Sequence, residues 1–181
     1  NENVVVHILD SVAQWIDEFD IDGLRLDVAY MVDRDFLRQL KEHTSSIDKD
    51  FFLVGEMIGG DYNVLLKDCG LHSVTNYECR KGIYSSFNSH NLFEIAYSLN
   101  RQFGNDPWTL YHGQHLLSFV DNHDVDRIAS VLEDERDLPL VYALLYAMPG
   151  IPCLYYGSEW GAKGKRTKYS DDALRPCFDK P

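Results

Sequence analysis

Short apolar runs alternate with segments of helical periodicity along the chain, and this alternation restricts the fold more than any other feature. The strand candidates lie at residues 24–29, 51–56, 73–77, 116–120 and 151–156. The run Phe51–Glu56 is continuously apolar up to its final acid, which is typical of a strand buried on both faces of a parallel sheet. Strands that alternate with helices indicate parallel βαβ units. The sequence therefore predicts an α/β fold of about five parallel strands, forming one domain or part of one.

Apolar residues at helical spacing predict helices before and between these strands. Helices are predicted at residues 3–19, 92–103 and 138–148. A further helix is predicted to start at Asp33 and to include Leu40. Asp33 is a candidate N-cap, because its short carboxylate can accept a hydrogen bond from the first turn. The last twenty residues are polar and are predicted to form loops.

The charge balance excludes several classes of partner. The chain has 29 acidic and 17 basic residues, a formal net charge of −12. This excess repels phosphate backbones and anionic lipid surfaces, so we expect neither a nucleic acid nor a membrane as partner. The four cysteines show no Cys-x-x-Cys spacing and have no clustered histidines nearby, which argues against a zinc site. A neutral substrate remains compatible with this charge.

Polar side chains gather where the predicted strands end. They are, in chain order, Arg25 and Asp27, then Glu56, Asn76, His123 and Asp124, and Glu159. Taken singly, each could be a turn former, a helix cap or half of a structural ion pair. Glu56 is the hardest to explain in that way, because burying a carboxylate without purpose costs several kcal/mol. Since active sites of parallel α/β folds lie at the carboxyl ends of the strands, the joint pattern predicts a site there.

Four segments resemble the motifs of the α-amylase family of glycoside hydrolases, in the family's order. They are Gly-Leu-Arg-Leu-Asp-Val-Ala at residues 23–29, Gly55–Glu56, Phe-Val-Asp-Asn-His-Asp at residues 119–124, and Gly-Ile-Pro with Tyr-Tyr-Gly-Ser-Glu at residues 150–159. The resemblance implies a fragment of a TIM (β/α)8 barrel. Residues 1–181 would then be a partial catalytic domain holding barrel strands four to eight, with the first three strands preceding Asn1.

The resemblance also implies the catalytic pair. Asp27 would be the nucleophile, held ionised and oriented by Arg25, and Glu56 would act first as general acid and then as general base. Such a pair hydrolyses glycosides with retention when the two carboxyl groups lie ~5–5.5 Å apart. Neighbouring strands lie about 4.8 Å apart, so residues at the ends of adjacent strands can meet that requirement.

Further residues are implied to bind substrate. Asp124 would bind sugar hydroxyls at the cleaved bond, His123 would hydrogen-bond the same sugar, and Asn76 would at most line the cleft. The implied activity is that of a retaining glycoside hydrolase acting on α-linked glucans or maltooligosaccharides. An α-glucan transglycosylase or a sugar isomerase with the same site, a non-catalytic interaction relative, and an unrelated barrel with a carboxylate pair are the alternatives.

The sequence departs from the family pattern in two places. No segment matches the family's third-strand motif, an Asp followed by Asn-His, so we expect the isolated chain to be inactive. Tyr30–Met31 occupies the place where many relatives have Lys-His, so we expect neither the family's calcium ion nor any other cofactor. The ends at Asn1 and Asp179–Pro181 show no start or closing element, which suggests a piece of a longer protein. Open strand edges would leave it unstable or self-associating edge to edge.

Overall fold

The computed structural model describes residues 1–178, so the predicted lack of a closing element at Asp179–Pro181 falls outside the described residues. The chain divides into two compact units, residues 1–75 and the part that begins at Asn76. Five strands form close to the predicted places, and every paired strand is parallel to its neighbour. The predicted α/β class is confirmed.

The first unit is a three-stranded parallel sheet with helices between the strands. Its elements are α1 (Glu2–Phe19), β1 (Gly23–Leu26), α2 (Arg34–Ile47), β2 (Phe52–Gly55), α3 (Asn63–Leu66) and β3 (Ser73–Val74). The strand order is β1-β2-β3. As predicted, Asp33 caps α2, since its side chain accepts a hydrogen bond from the Phe36 amide at 2.9 Å. Leu37 and Leu40 of α2 are fully buried, which fixes this helix on its apolar face.

The second unit has a two-stranded parallel sheet and most of the remaining helices. Its elements are α4 (Tyr77–Asn88), α5 (Phe93–Phe103), β4 (Leu117–Phe119), α6 (Ile128–Val131), α7 (Leu138–Ala147) and β5 (Ile151–Cys153). An apolar cluster includes Ile83 of α4, Ile95 of α5 and Val141 and Leu145 of α7. These helices therefore share one core with Val120, the residue after β4.

The prediction of a strand at residues 73–77 is wrong at its carboxyl end. β3 stops at Val74, and Asn76 is the N-cap of α4, where its side chain accepts a hydrogen bond from the Cys79 amide at 3.2 Å. An asparagine before a helix satisfies an amide that the helix itself leaves unpaired, which favours helix over strand from this point. The sequence reading missed α4 because polar residues interrupt its apolar face.

Two sequence observations can be compared with the structure directly. Within residues 1–178, no helix is both long enough and apolar enough to span a membrane. Cys69, Cys79, Cys153 and Cys177 are all free thiols. Cys69 and Cys79 are buried, and burial raises the pKa of the Cys79 thiol to about 12. A thiol protonated at neutral pH is a weak nucleophile and metal ligand, so Cys79 acts as a packing residue.

Candidate active site

Asp27 and Glu56 occupy equivalent positions directly after two neighbouring strands. β1 and β2 pair in parallel with Leu26 opposite Gly55, so the next residue of each strand is one of the predicted catalytic acids. The Glu56 amide donates to the Leu26 carbonyl at 2.8 Å, which extends the hydrogen-bond ladder to this point. Both carboxylates therefore project from the same edge of the sheet, from strands about 4.8 Å apart.

One guanidinium contacts both carboxylates. Arg25 lies 2.5 Å from Asp27, between Nη1 and Oδ1, and 3.2 Å from Glu56, between Nη2 and Oε1. A planar guanidinium can offer separate N–H groups to two acceptors, which a lysine ammonium cannot do in the same fixed geometry. The environments of the two acids differ, because the Asp27 side chain is 71% exposed and that of Glu56 only 5%.

The second carboxylate oxygen of Glu56 is held by a backbone amide in an unusual conformation. The Val28 amide donates to Glu56 Oε2 at 2.8 Å. Val28 has φ of 47° and ψ of 40°, the left-handed region that β-branched residues rarely adopt. Strained backbone of this kind persists where the surrounding structure holds it, and it is concentrated at functional sites. Here the conformation directs an amide at the buried acid.

The residues around Gly55, the position directly before Glu56, are apolar and tightly packed. A side-chain carbon added at Gly55 would lie 2.8 Å from a Leu71 methyl group and 3.0 Å from Ala29 Cβ. Leu71 and Ala29 are both buried. A glycine is therefore required here for β2 to pass this close to its neighbours. Glu56, the residue after Gly55, is itself buried, with only 4% of its surface exposed.

In the second unit, His123 and Asp124 lie on the loop after β4. His123 Nε2 lies 3.0 Å from Asp124 Oδ2, and the Asp124 amide donates to the Asn122 side chain at 2.9 Å. Arg175 holds the same loop from the carboxyl-terminal segment. Its Nη2 donates to Asp124 Oδ1 at 3.2 Å, and its Nε donates to the His123 carbonyl at 3.0 Å.

Arg175 is a residue that sequence reasoning missed. It also donates to Asp171 Oδ2 at 2.6 Å, so one guanidinium joins the loop after β4 to the loop at residues 171–175. The partners of Arg175 lie as far as 52 positions away in sequence. No local pattern could have identified this contact, because the segment reads only as a polar loop.

A buried polar network supports the same loop. Asp121, 1% exposed, accepts hydrogen bonds from the Ile128 amide at 2.8 Å and from the Ser158 hydroxyl at 2.7 Å. Arg127 is fully buried and donates to the Tyr156 carbonyl at 2.5 Å and to Ser158 Oγ at 3.2 Å. Burial raises the pKa of the Asp121 carboxyl, while these hydrogen bonds and the positive charge of Arg127 act in the opposite direction. The network ties the segment after β4 to the segment after β5.

Asn76 and Glu159 lie in places that do not favour substrate contact. Asn76 is fully buried, and its side-chain amide donates to Gln102 Oε1 at 2.9 Å in addition to capping α4. The polar atoms of its side chain are thus hydrogen-bonded to protein groups, so Asn76 is not among the residues proposed to bind substrate. Glu159 lies exposed in a single 3-10 turn, Ser158–Trp160.

The described residues show no cluster suited to a metal ion. No group of three or more His, Cys, Asp or Glu side chains comes together within residues 1–178. The side chains of Tyr30 and Met31 are exposed. The expectation that no calcium is bound stays a prediction, and no catalytic step below uses a metal.

Comparison with known proteins shows which family the chain resembles. A family model described as "Alpha amylase, catalytic domain" matches residues 1–179. The chain is 31% identical over 182 residues to a maltogenic alpha-amylase of Bacillus acidopullulyticus and 29% identical over 181 residues to the intracellular maltogenic amylase of Bacillus subtilis (strain 168). These matches cover 99% and 98% of this chain, respectively, but only 30% of each relative.

A solved structure shows the same backbone arrangement over the chain. The alpha-amylase of Geobacillus thermoleovorans, crystallised with acarbose, superposes with a TM-score of 0.84 at 26% identity. The superposition covers 99% of this chain and 41% of that one. The fold is therefore that of part of a TIM-barrel amylase, as the sequence motifs imply.

Proposed function

Because the chain belongs to the α-amylase family, as the match of the family's catalytic domain over residues 1–179 shows, we propose that it carries the catalytic pair of a retaining glycoside hydrolase. The observation that supports this most directly is the pairing of Leu26 with Gly55, which brings Asp27 and Glu56 to the same edge of the sheet. The shared contact with Arg25 adds to it, since it draws both carboxylates toward one point.

The first chemical step uses both acids. Glu56 in its protonated form gives its proton to the glycosidic oxygen, which makes that oxygen a better leaving group. Asp27 attacks the anomeric carbon as the C–O bond breaks, and a covalent glycosyl-enzyme forms. The exposed face of Asp27 leaves room for a sugar ring, while the contact with Arg25 orients the carboxylate for attack.

The second step releases the product. Glu56, now ionised, takes a proton from a water molecule, and the resulting hydroxide attacks the same anomeric carbon and displaces Asp27. Two inversions at one carbon give net retention of the α configuration. The Val28 amide and Arg25 are the groups that stabilise the ionised Glu56 between the steps.

Asp124 and His123 are proposed to bind sugar hydroxyls of the substrate. Both side chains are more than a third exposed, at 35% and 38%, so their polar atoms are open to a hydroxyl-rich ligand. Arg175 would position Asp124, since it holds one of the two carboxylate oxygens. The substrates proposed are α-linked glucans or maltooligosaccharides, in line with the maltogenic amylases among the relatives.

The experiment uses the complete protein that contains this chain. Glu56→Gln and Asp27→Asn are compared with the parent on maltoheptaose, and each should lower kcat by about 10³-fold or more, because each removes one step of the chemistry. Glu133→Gln and Asp17→Asn are matched controls on exposed acids of the two units. Near-normal turnover in either test variant, or a β-configured first product in a proton NMR time course, would contradict the assignment.

Two further expectations concern the chain by itself. We propose that residues 1–181 alone are inactive, because no segment resembles the third-strand motif that would support the sugar.

We also propose that the open edge strands of the sheets pair between copies of the chain, since β1 pairs only with β2 in the part of the chain that the structure describes. Light scattering after size exclusion tests the second point, and a stable monomer would contradict it.

A further inference from the structure

A cavity of about 350 Å³ lies in the second unit beside the loop after β4, and we call it the two-arginine cavity. Its volume lies within the ~300–1,000 Å³ of small-molecule sites. Of its residues, the chemistry proposed above uses only Asp124. The charged and aromatic residues that line it are Arg80, Tyr84, Asp124, Asp126 and Arg166.

Arg80 brings a half-buried guanidinium to the cavity from the first turn of α4. The guanidinium carbon lies 5.1 Å from the centre of the Tyr84 ring, one helical turn further on, which holds the group in place. Its Nε is buried and has no hydrogen-bond partner within residues 1–178. Burial lowers the pKa of Arg80, because a charge withdrawn from water is costly. A ligand with acceptor oxygens would offset that cost.

Arg166 brings a second guanidinium to the same cavity on an exposed side chain. Its amide donates to Asp126 Oδ1 at 2.7 Å, and the Gly164 carbonyl accepts from the Arg127 amide at 3.0 Å. These two backbone contacts hold the Arg166 loop against the segment after β4. Among the described residues, no ion pair includes Arg80 or Arg166. Both positive charges are therefore available to a ligand.

Two carboxylates also line the cavity, and they restrict which anion fits. Asp124 is compensated locally, since Arg175 lies 3.2 Å from Oδ1 and His123 Nε2 lies 3.0 Å from Oδ2. Asp126 accepts the Arg166 amide through Oδ1, which leaves Oδ2 as an acceptor. An anion without a proton would be repelled there. A phosphate group has a second pKa of about 6, so it can keep a proton and donate it to this carboxylate.

The charge around Arg166 favours a small anion in spite of the acidic chain. Four of the 17 basic residues lie within six positions, at Lys163, Lys165, Arg166 and Lys168, although the net charge is −12. Lys163 pairs with Glu135, which compensates one of these charges. A local excess of positive charge raises the concentration of small anions nearby. A long polyanion would still be repelled by the acidic remainder.

We propose that the two-arginine cavity binds a phosphate group, carried by a phosphorylated sugar or present as inorganic phosphate. The guanidiniums of Arg80 and Arg166 donate to phosphate oxygens, and Asp126 accepts the remaining proton. Phosphate binding itself does not depend on the hydrolase activity. A sugar as the carrier rests on the proposed function, because Asp124 belongs both to this cavity and to the loop proposed to bind sugar hydroxyls.

The first test measures phosphate binding to the complete protein that carries Glu56→Gln, so that no substrate is turned over. Inorganic phosphate is titrated by calorimetry, and Arg80→Met and Arg166→Met should each weaken its binding about tenfold or more, because each removes a charged donor. Arg136→Met is the matched control, since Arg136 also belongs to the second unit, is 89% exposed and pairs with Asp134. Its phosphate affinity should be unchanged.

The same titration can overturn the proposal. Absence of phosphate binding, or equal affinity in Arg166→Met and Arg136→Met, would do so. Arg166 is exposed, so its substitution keeps the test valid if the half-buried Arg80 cannot be replaced without unfolding the protein.

Sulfate tests the part assigned to Asp126. Sulfate resembles phosphate in shape but carries no proton at neutral pH, so it should bind at least tenfold more weakly. Asp126→Asn, whose amide can donate to either anion, should remove most of this difference. Equal affinity of the parent for sulfate and phosphate would overturn the assignment to phosphate.

Glucose 1-phosphate and glucose identify the carrier. If the carrier is a sugar, glucose 1-phosphate should bind at least tenfold more tightly than inorganic phosphate, because its hydroxyls reach Asp124. Equal affinities would assign inorganic phosphate, and glucose alone should show no dependence on Arg166. Cleavage of maltoheptaose by the parent without phosphate binding would overturn the cavity alone. Phosphate binding that depends on Arg166, without cleavage, would overturn the hydrolase and keep the cavity.

Discussion

The two units of the chain position their polar groups by different means. In the first unit, Asp27 and Glu56 are placed by backbone register, because each follows a strand paired directly with the other. In the second unit, Asp124 is held by Arg175, a side chain 51 positions away. The register of paired strands is fixed by many backbone hydrogen bonds along both strands. The position of Asp124 depends instead on a contact between two loops through the Arg175 side chain. Single substitutions of supporting side chains should therefore leave Asp27 and Glu56 at the same end of the sheet, whereas the position of Asp124 should depend on the Arg175 side chain.

The largest effect is expected from the buried arginine of the second unit. Arg127→Met keeps much of the side-chain volume but removes the charged donor of the Tyr156 carbonyl. It also removes one of the two positive charges, with Arg80 the other, that favour the ionised Asp121 carboxylate. Losing one partner of a buried charged network should reduce the free energy of unfolding by about 3–5 kcal/mol. Urea denaturation of the complete protein measures it.

Arg136→Met is the control for that measurement. Arg136 pairs with Asp134, but its side chain is 89% exposed, so its loss should change the free energy of unfolding little. If the two variants were equally stable, the network around Asp121 would not hold the second unit together.

Arg25→Lys addresses the first unit through its chemistry. The ammonium keeps the charge but cannot contact Asp27 and Glu56 with two separate N–H groups in one plane, so kcat should fall about 100-fold. Arg38→Lys, at an exposed ion pair with Asp35, should leave turnover unchanged. Steady-state kinetics on maltoheptaose distinguish the two, and equal turnover would show that strand register alone orients the acids.

The His72 side chain contributes to the stability of the sheet in the first unit. Its Nδ1 accepts a hydrogen bond from the buried Leu53 amide at 2.9 Å, and its own amide donates to the Leu53 carbonyl at 3.0 Å. His72→Ala leaves the Leu53 amide unpaired and should reduce the free energy of unfolding by about 1–3 kcal/mol. His7→Ala, on an exposed face of α1, is the control and should change little.

The same histidine predicts a pH dependence. Burial and the Lys41 ammonium, which lies 2.9 Å from Nε2, hold the pKa of His72 below the usual value for histidine. The unfolded chain therefore binds the proton more readily, so the contribution is complete above about pH 6.5 and is lost as the pH falls through the folded pKa. Urea unfolding curves at pH 7.5 and pH 5 measure this contribution. Between the two pH values, the free energy of unfolding should fall less in His72→Ala than in the parent. If the free energy of unfolding fell equally in both proteins, groups other than His72 would cause the loss of stability at low pH.

The smallest effect is expected at Arg175. Arg175→Ala frees Asp124 to adopt other rotamers, and we expect about a tenfold fall in kcat/KM, with most of it in KM because substrate binding is what the loop supports. Asp171→Asn keeps the loop but weakens its link to Arg175 and should lose less. A fall confined to kcat would place Arg175 in the chemistry instead of in positioning.

The sequence predicted those parts of the molecule that depend on local patterns. The strands that precede Asp27 and Glu56 are short apolar runs, and a parallel sheet brings their ends to one edge whatever the details of the helices. The predicted end of β3 is wrong because Asn76 caps a helix, where its side chain accepts a hydrogen bond from the Cys79 amide three residues later. Arg127 and Arg175 could not be found, since their roles come from contacts between loops distant in sequence.

The left-handed backbone at Val28 has a consequence for how such a protein can change over generations. A β-branched residue there costs roughly 1–2 kcal/mol of local strain. Glycine would relieve the strain but would also let the amide swing away from Glu56. A screen that rewards heat tolerance should therefore enrich small or flexible residues at this position, whereas a screen that rewards turnover should retain the valine. Selection for stability and selection for turnover should therefore favour different residues at position 28.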